Sequence, residues 1–246
     1  MDRRFQSKPF YYRLTGDYAL FTDPATKGGG EKFSYQIPTY QALKGITEGI
    51  YWKPTIEIFI DEVKVINQIR TETMGMRPIV TTGDGGNDLS YYTYLKDVDY
   101  LVKFHFEWNL NRPELSKDRQ EIKHQQIILR SLDRGGRRDV FIGTRECIGA
   151  VERLTAEDYA AISSYYHGQQ LNFGMMFHSF TYADESYNEA TKEKLTSNFT
   201  SIQMKDGVIY FDRPEDTLIH QPLNDMHVKQ FDTDSYKAVE EELIEK

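Results

Sequence analysis

A single cysteine, Cys147, in a chain of 246 residues leaves no internal disulfide framework and no cysteine-rich zinc site to consider. No apolar run approaches the roughly 20 residues of a membrane span. The opening stretch, MDRRFQSKPF, lacks the apolar core of a secretory leader, so a cytoplasmic protein with no membrane partner is expected. Familiar catalytic signatures are missing too. There is no HExxH, no GxxxxGK[ST], no GxSxG and no GxGxxG after a strand. The GDGG at Gly83–Gly86 falls between expected strands rather than before a helix, and Asp232 and Asp234 have no histidine cluster beside them. No metal and no other cofactor is therefore expected.

Positive charge is also scarce overall. The 38 acids outnumber the 30 basic residues, for a net charge of −8, which taken alone argues against a nucleic-acid partner. The distribution changes that conclusion. Asp206–Lys246 holds eleven acids against four bases, whereas Arg112–Arg145 holds nine bases against five acids. Local potential, not the total, governs nucleic-acid binding.

What is present is an ordinary globular composition, 39% hydrophobic and 28% charged, with 13% aromatic residues. Phe10–Leu14 reads as a strand, followed by a loop over Asp23–Tyr35 with its Gly28–Gly30 run. Pro38 and Thr39 open a helix whose Tyr40, Leu43, Ile46 and Ile50 recur at three and four, ending near Trp52 and stopped by Pro54. Thr55–Ile66 and Val98–Trp108 alternate as strands, the second with Val98, Tyr100, Val102, Phe104 and Phe106 on one face. Gly75–Asp88, rich in glycine, is expected to loop or form a hairpin. Ser116–Leu132 reads as a helix with Ser116 as N-cap and Asp118 in its first turn, ended by Gly135-Gly136. Asp139–Thr144 is a further strand. The order strand, helix, strand, strand, helix, strand predicts an α+β, ferredoxin-like βαββαβ domain over residues 1–147. A small C-terminal antiparallel β region follows at 148–222, with Phe173–Tyr182 and Val208–Phe211 as strands. An acidic tail occupies 223–246, helical or disordered at Ser235–Ile244.

The second helix carries the strongest chemical signal. Arg119, Lys123, Arg130 and Arg134 share one face with Ile127 and run into Gly135-Gly136-Arg137-Arg138. Small residues and guanidinium forks at such a place suit a phosphate, although a solvated helix face with a glycine cap has the same composition. On that helix Lys123 precedes His124, a pair able to exchange protons and to stabilise a phosphorane. RNA can be cut without a metal, because its own 2′-hydroxyl attacks the adjacent phosphorus once one group takes its proton and another protonates the leaving oxygen. Cys147 reads as a small buried residue at a strand end and His178 as a member of an aromatic strand. The pairs Tyr11-Tyr12, Tyr91-Tyr92 and Tyr165-Tyr166 are more often core than base-stacking platforms.

The stretches GDYALFTDPATKGGGEKFSYQIPTYQALKGITEGIYWKPT, GGNDLSYYTYLKDV, HFEWNLNRPELSKDR and RGGRRDVFIGTREC resemble the fifth Cas family of CRISPR systems, Dvulg subtype of type I-C, in the RAMP superfamily. The resemblance runs over about residues 8–215. It implies a ferredoxin-like, RRM-like domain with a small C-terminal sheet. It also implies a metal-independent endoribonuclease that cuts CRISPR repeats in the precursor transcript and stays on the 5′ handle of the mature guide RNA. The alternative is a subunit that holds the handle without cutting. The family's Tyr of a YW motif matches Tyr51, and its Lys-His pair matches Lys123 and His124, which makes these three the expected catalytic residues. Gln125-Gln126 after His124 and the extra Gly28 depart from the family pattern. Lys32, Arg119, Arg130, Arg134, Arg137, Arg138 and Arg145 are the expected RNA contacts. The insertion at Thr71–Tyr92, with Gly75, Gly83, Gly85 and Gly86, corresponds to a thumb-like hairpin. Expected partners are backbone subunits of the Cas seven family and the large subunit of the type I-C complex.

Overall fold

The computed structural model describes residues 5–23, 26, 31–77, 89–186, 188–189 and 191–227. In chain order the elements are β1 (Phe10–Ala19), β2 (Lys32–Phe33), α1 (Tyr40–Ile50), β3 (Ile56–Val65), β4 (Thr71–Met76) and β5 (Ser90–Trp108). A 3₁₀ turn (Pro113–Asp118) then leads to α2 (Glu121–Asp133), β6 (Val140–Phe141), β7 (Ile148–Leu154) and α3 (Ala156–Ala161). The chain continues through β8 (Gln170–Thr181), β9 (Lys194–Lys205), β10 (Val208–Tyr210), a second 3₁₀ turn (Pro214–Asp216) and β11 (Ile219–Asp225). No helix among the described residues is long and apolar enough to cross a membrane.

The first helix forms where its spacing predicts. The Thr39 hydroxyl accepts from the Ala42 amide, capping the first turn. Tyr40, Leu43, Ile46 and Ile50 are buried, and α1 packs on β3 and β8. Tyr51 then turns to extended backbone and ends the helix. Beneath it lies a mixed α/β arrangement dominated by one large sheet, ordered β11-β9-β10-β3-β5-β1-β7-β6, with β2 and β4 on the outer half of β5 and β8 beside β9. Only the β2–β5 pairing is parallel among those assigned. Tyr12, Leu14, Ile58, Ile60, Val102, Phe104 and Phe106 form the layer that meets Leu43, Ile50, Ile128 and Leu132 of the helices.

Four expectations change. The strand placed at Asp139–Thr144 shrinks to Val140–Phe141, and the partner of β1 is Ile148–Leu154, in register Leu14↔Val151. The second helix begins at Glu121, because Pro113 sets up a separate 3₁₀ turn through Asp118. Ser116 therefore caps nothing, and Gln120 stands at the N-cap without a side-chain bond. The strand expected from Val98 starts at Ser90, and its extra length pairs with β4 from Thr71↔Leu95 to Met76↔Ser90. Gly83, Gly85 and Gly86 lie outside the described residues. Lastly, the C-terminal strands are antiparallel as expected, but they continue the main sheet, since Ile209 of β10 pairs with Val63 of β3. β11 runs into the expected acidic tail, whose remainder, with Asp232, Asp234 and Ser235–Ile244, lies outside the described residues.

Candidate active site

Tyr51 and His124 meet where α1 ends and α2 begins. The turn to extended backbone at Tyr51 swings its ring off the helix axis toward α2. His124 sits in the first turn of α2, its amide bonded to the Gln120 carbonyl at 3.2 Å. The Tyr51 hydroxyl lies 2.9 Å from His124 Nδ1. His124 Nε2 lies 2.8 Å from the main-chain oxygen of Asp118. A carbonyl only accepts, so Nε2 carries a proton, and in the neutral tautomer this defines Nδ1 is the acceptor for the Tyr51 hydroxyl. Both rings are buried, at 2% and 0% exposure. Phe106 and Trp108 at the end of β5 wall the imidazole, with centroids 6.0 and 5.6 Å away.

Lys123, half-exposed beside His124, forms an ion pair with Oδ1 of Asp118. The other carboxylate oxygen accepts from the Thr55 hydroxyl at 2.7 Å. Hydrogen bonds from Lys123, then Thr55, hold the Asp118 carboxyl below its usual range. Burial pushes the Tyr51 phenol up, the Asp118 charge adds to this, and Arg137 opposes it. The Arg137 guanidinium stands 6.0 Å over the Tyr51 ring. Asp118 and Thr55 escaped the sequence reading because a carboxylate expected inside a helix's first turn gives no sign that it faces the next two catalytic candidates.

The arginines divide. Ile127, Arg130, Ser131, Arg134, Gly136 and Arg137 line a concavity of about 470 Å³ next to Tyr51. Gly135 and Gly136 take φ of 75° and 109°, which bends the chain after α2 so that Arg137 turns back over it. Elsewhere cations are matched: Arg13 with Asp99, Lys44 with Glu185, Arg153 with Asp133, Arg213 with Glu107. Among the described residues no carboxylate pairs with Arg130, Arg134, Arg137 or Arg138, and Arg138 is exposed beside the concavity. Arg119 does not share the helix face assigned to it. It precedes α2, and its guanidinium donates to the carbonyls of Asn109 at 2.9 Å and Arg112 at 3.1 Å, clamping the 3₁₀ turn. Lys32 lies over the Tyr92 ring at 4.8 Å, near the opposite end of β5 from Trp108. Arg145 is exposed in the turn between β6 and β7.

Two other residues fall as read. Cys147 is buried just before β7, and His178 is buried, stacked on Tyr40 at 4.4 Å. Among the described residues no group of three or more His, Cys, Asp or Glu could hold a metal ion.

Comparison with known proteins agrees on one family. A family model described as CRISPR-associated protein (Cas_Cas5), the Cas5d model, matches residues 11–212. A protein of Mannheimia succiniciproducens named CRISPR pre-crRNA endoribonuclease Cas5d is 24% identical over 219 residues, spanning 80% of this chain and 91% of that protein. A Thermus thermophilus protein of the same name is 31% identical over 100 residues, 37% of this chain and 42% of the relative. Among solved structures, one titled as a CRISPR-associated protein is 45% identical with a TM-score of 0.76, covering 89% of this chain and 99% of the other. A functionally uncharacterized protein from Streptococcus mutans is 46% identical with a TM-score of 0.74, covering 89% and 100%. With the family model spanning most of the chain from β1 to beyond β10, this protein belongs to the Cas5d family of CRISPR-associated proteins.

Proposed function

We propose that this chain is a metal-independent endoribonuclease that cuts CRISPR repeats in the precursor transcript. It then stays on the 5′ handle of the mature guide RNA, as a subunit of the type I-C surveillance complex beside Cas seven family backbone subunits and the large subunit. The observation that carries the reading is the Tyr51 hydroxyl on His124 Nδ1, with Lys123 alongside and a concavity of acid-free arginines adjoining. The names of the Mannheimia and Thermus relatives support it and disfavour the alternative of a subunit that holds the handle without cutting.

The chemistry needs no group beyond these side chains. The 2′-oxygen of the nucleotide before the cut bonds to phosphorus, and the bond from phosphorus to the 5′-oxygen breaks. The 2′-proton passes to the Tyr51–His124 pair, and the imidazolium so formed gives a proton to the departing 5′-oxygen. The Lys123 ammonium offsets charge on the phosphorane. Arg130, Arg134, Arg137 and Arg138 hold flanking phosphates, with Lys32 and Arg145 as outlying contacts. Tyr51 and His124 are buried in the free chain, so RNA has to displace a cover. Arg137, 6.0 Å over the Tyr51 ring, is one side chain that a phosphate would draw aside.

The fold is read as ferredoxin-like. The run β3-β5-β1-β7 puts the second, third, first and fourth strands of a βαββαβ unit side by side, and α1 and α2 are its crossovers. That reading takes Ile148–Leu154 into the first unit and leaves β8–β11 as a C-terminal extension.

The test is labelled repeat RNA incubated with pure protein in EDTA. Cleavage is expected at one position at the 3′ base of the repeat stem-loop, leaving a 5′-hydroxyl and a 2′,3′-cyclic phosphate. A 2′-deoxy nucleotide at the cut should stop the reaction, and equal cutting of the deoxy substrate would exclude the mechanism.

A further inference from the structure

Asp118 uses three groups at once. One carboxylate oxygen holds the Lys123 ammonium, the other is held by the Thr55 hydroxyl at 2.7 Å, and the main-chain oxygen accepts from His124 Nε2 at 2.8 Å. The carboxylate also stands 3.5 Å from His124 Nε2. Thr55 is buried at the head of β3, and its carbonyl accepts from the Asn109 amide at 3.0 Å. Arg119 in turn binds the Asn109 carbonyl. The 3₁₀ turn is thus tied to the sheet on one side and grips both members of the Lys-His pair on the other.

We infer that Asp118 is the positioning residue of this site. It sets the place of the Lys123 ammonium and the protonated edge of the His124 ring, and Thr55 anchors it. A lysine side chain is long and freely rotating, so an amine fixed before RNA arrives is spared that ordering during the reaction. The His124 tautomer that presents Nδ1 to Tyr51 follows from the bond that Nε2 makes to Asp118. This role rests on the nuclease reading above, because it concerns the rate of that reaction.

The experiment compares the full chain with Asp118→Asn, Lys123→Ala, the double variant and Thr55→Val. Asp118→Asn keeps the main-chain acceptor and the side-chain shape but removes the charge that holds Lys123. Single-turnover cleavage of repeat RNA should fall about 10-fold or more, the scale of a misplaced catalytic group, with little change in RNA affinity. In the Lys123→Ala background the same change should cost almost nothing. Thr55→Val, which loosens the carboxylate without touching Lys123, should slow cleavage in the same direction by less. Competitive acylation read by mass spectrometry should show Lys123 of the RNA-free Asp118→Asn protein labelled faster than in wild type. Cleavage by Asp118→Asn at the wild-type rate, or an equal loss with and without Lys123, overturns the positioning role. Wild-type protein that leaves repeat RNA intact overturns the nuclease reading instead. The labelling then decides alone whether Asp118 holds Lys123, and equal labelling in both proteins overturns the inference.

Discussion

The Tyr51 hydroxyl and His124 Nδ1 stand 2.9 Å apart although the residues are 73 positions apart in the chain. Neither helix alone would bring them together. The contact exists because α1 stops at Tyr51 and α2 starts three residues before His124, both over the same sheet face walled by Phe106 and Trp108.

Tyr51→Phe keeps the ring and removes the hydroxyl. Single-turnover cleavage is expected to fall on the order of 10²-fold, as for Lys123→Ala and His124→Ala. The melting temperature should fall by several degrees, since an orphaned buried acceptor costs about 1–3 kcal/mol. RNA binding should weaken less for His124→Ala than for the arginine changes below. Wild-type cutting by Tyr51→Phe would remove the phenol from the chemistry.

Alanine at Arg130, Arg134, Arg137 or Arg138 is expected to weaken repeat binding. For every phosphate that no longer meets a guanidinium, the slope of log affinity against log salt should fall by roughly one unit. Arg119→Ala should behave differently. It frees the carbonyls of Asn109 and Arg112, so it should lower thermal stability while the salt slope stays near wild type. Equal slopes across all five variants would mean that the concavity is solvated and nothing more.

Burial holds the His178 imidazole well below its ordinary value, at about 4. Between about pH 6.5, where an unfolded histidine titrates, and pH 4 the unfolded chain binds a proton that the folded chain refuses. Stability from this group is therefore complete above that window and lost as pH falls through it. From pH 7 to 5 the loss is expected to be about 2 kcal/mol. Urea unfolding of wild type and His178→Gln at several pH values measures it as the difference between their slopes, and parallel slopes would refute it.

Arg213 forks onto Glu107 at 2.8 and 3.1 Å and lies 4.2 Å over the Phe59 ring. Burial pushes the Glu107 carboxyl up, but hydrogen bonds with His105 and Arg213 outweigh it and bring it to about 2. Arg213→Ala leaves that buried charge short of its partner and should cost about 3 kcal/mol. Adding Glu107→Gln should recover part of the loss in chemical denaturation, and a double variant no more stable than Arg213→Ala would show that packing on Phe59 dominates.

The sequence was most informative where apolar spacing and burial coincide. Helix α1 shows this, with Tyr40, Leu43, Ile46 and Ile50 all buried. It misled in α2. Ile122, spaced seven from Leu115 and Leu129, is 74% exposed, and the buried stripe is instead His124, Ile128, Ser131 and Leu132. A polar residue facing inward breaks an apolar pattern, and here the inward histidine is the candidate catalytic group. The same cause hid β9, whose buried positions include Thr196, Ser197, Asn198 and Thr200. Arg119 had the right spacing for the basic face but the wrong backbone, because Pro113 closes a 3₁₀ turn before α2 can begin. Tyr51, Lys123 and His124 were named through family resemblance, while the pairing of Tyr51 with His124 and the grip of Asp118 on both Lys123 and His124 required the geometry.

β5 is a single strand of 19 residues. At about 3.3 Å per residue its contour is some 60 Å, and it bends at Asp97, whose φ of 52° is left-handed. One end supplies Trp108 to the wall around His124, and the other carries the stem with β4 and the edge with β2 and Lys32. Ladders with β1 and β3 brace its inner half. One continuous backbone thus joins the β4 stem to the wall around His124, and the bend at Asp97 sets the direction from one to the other.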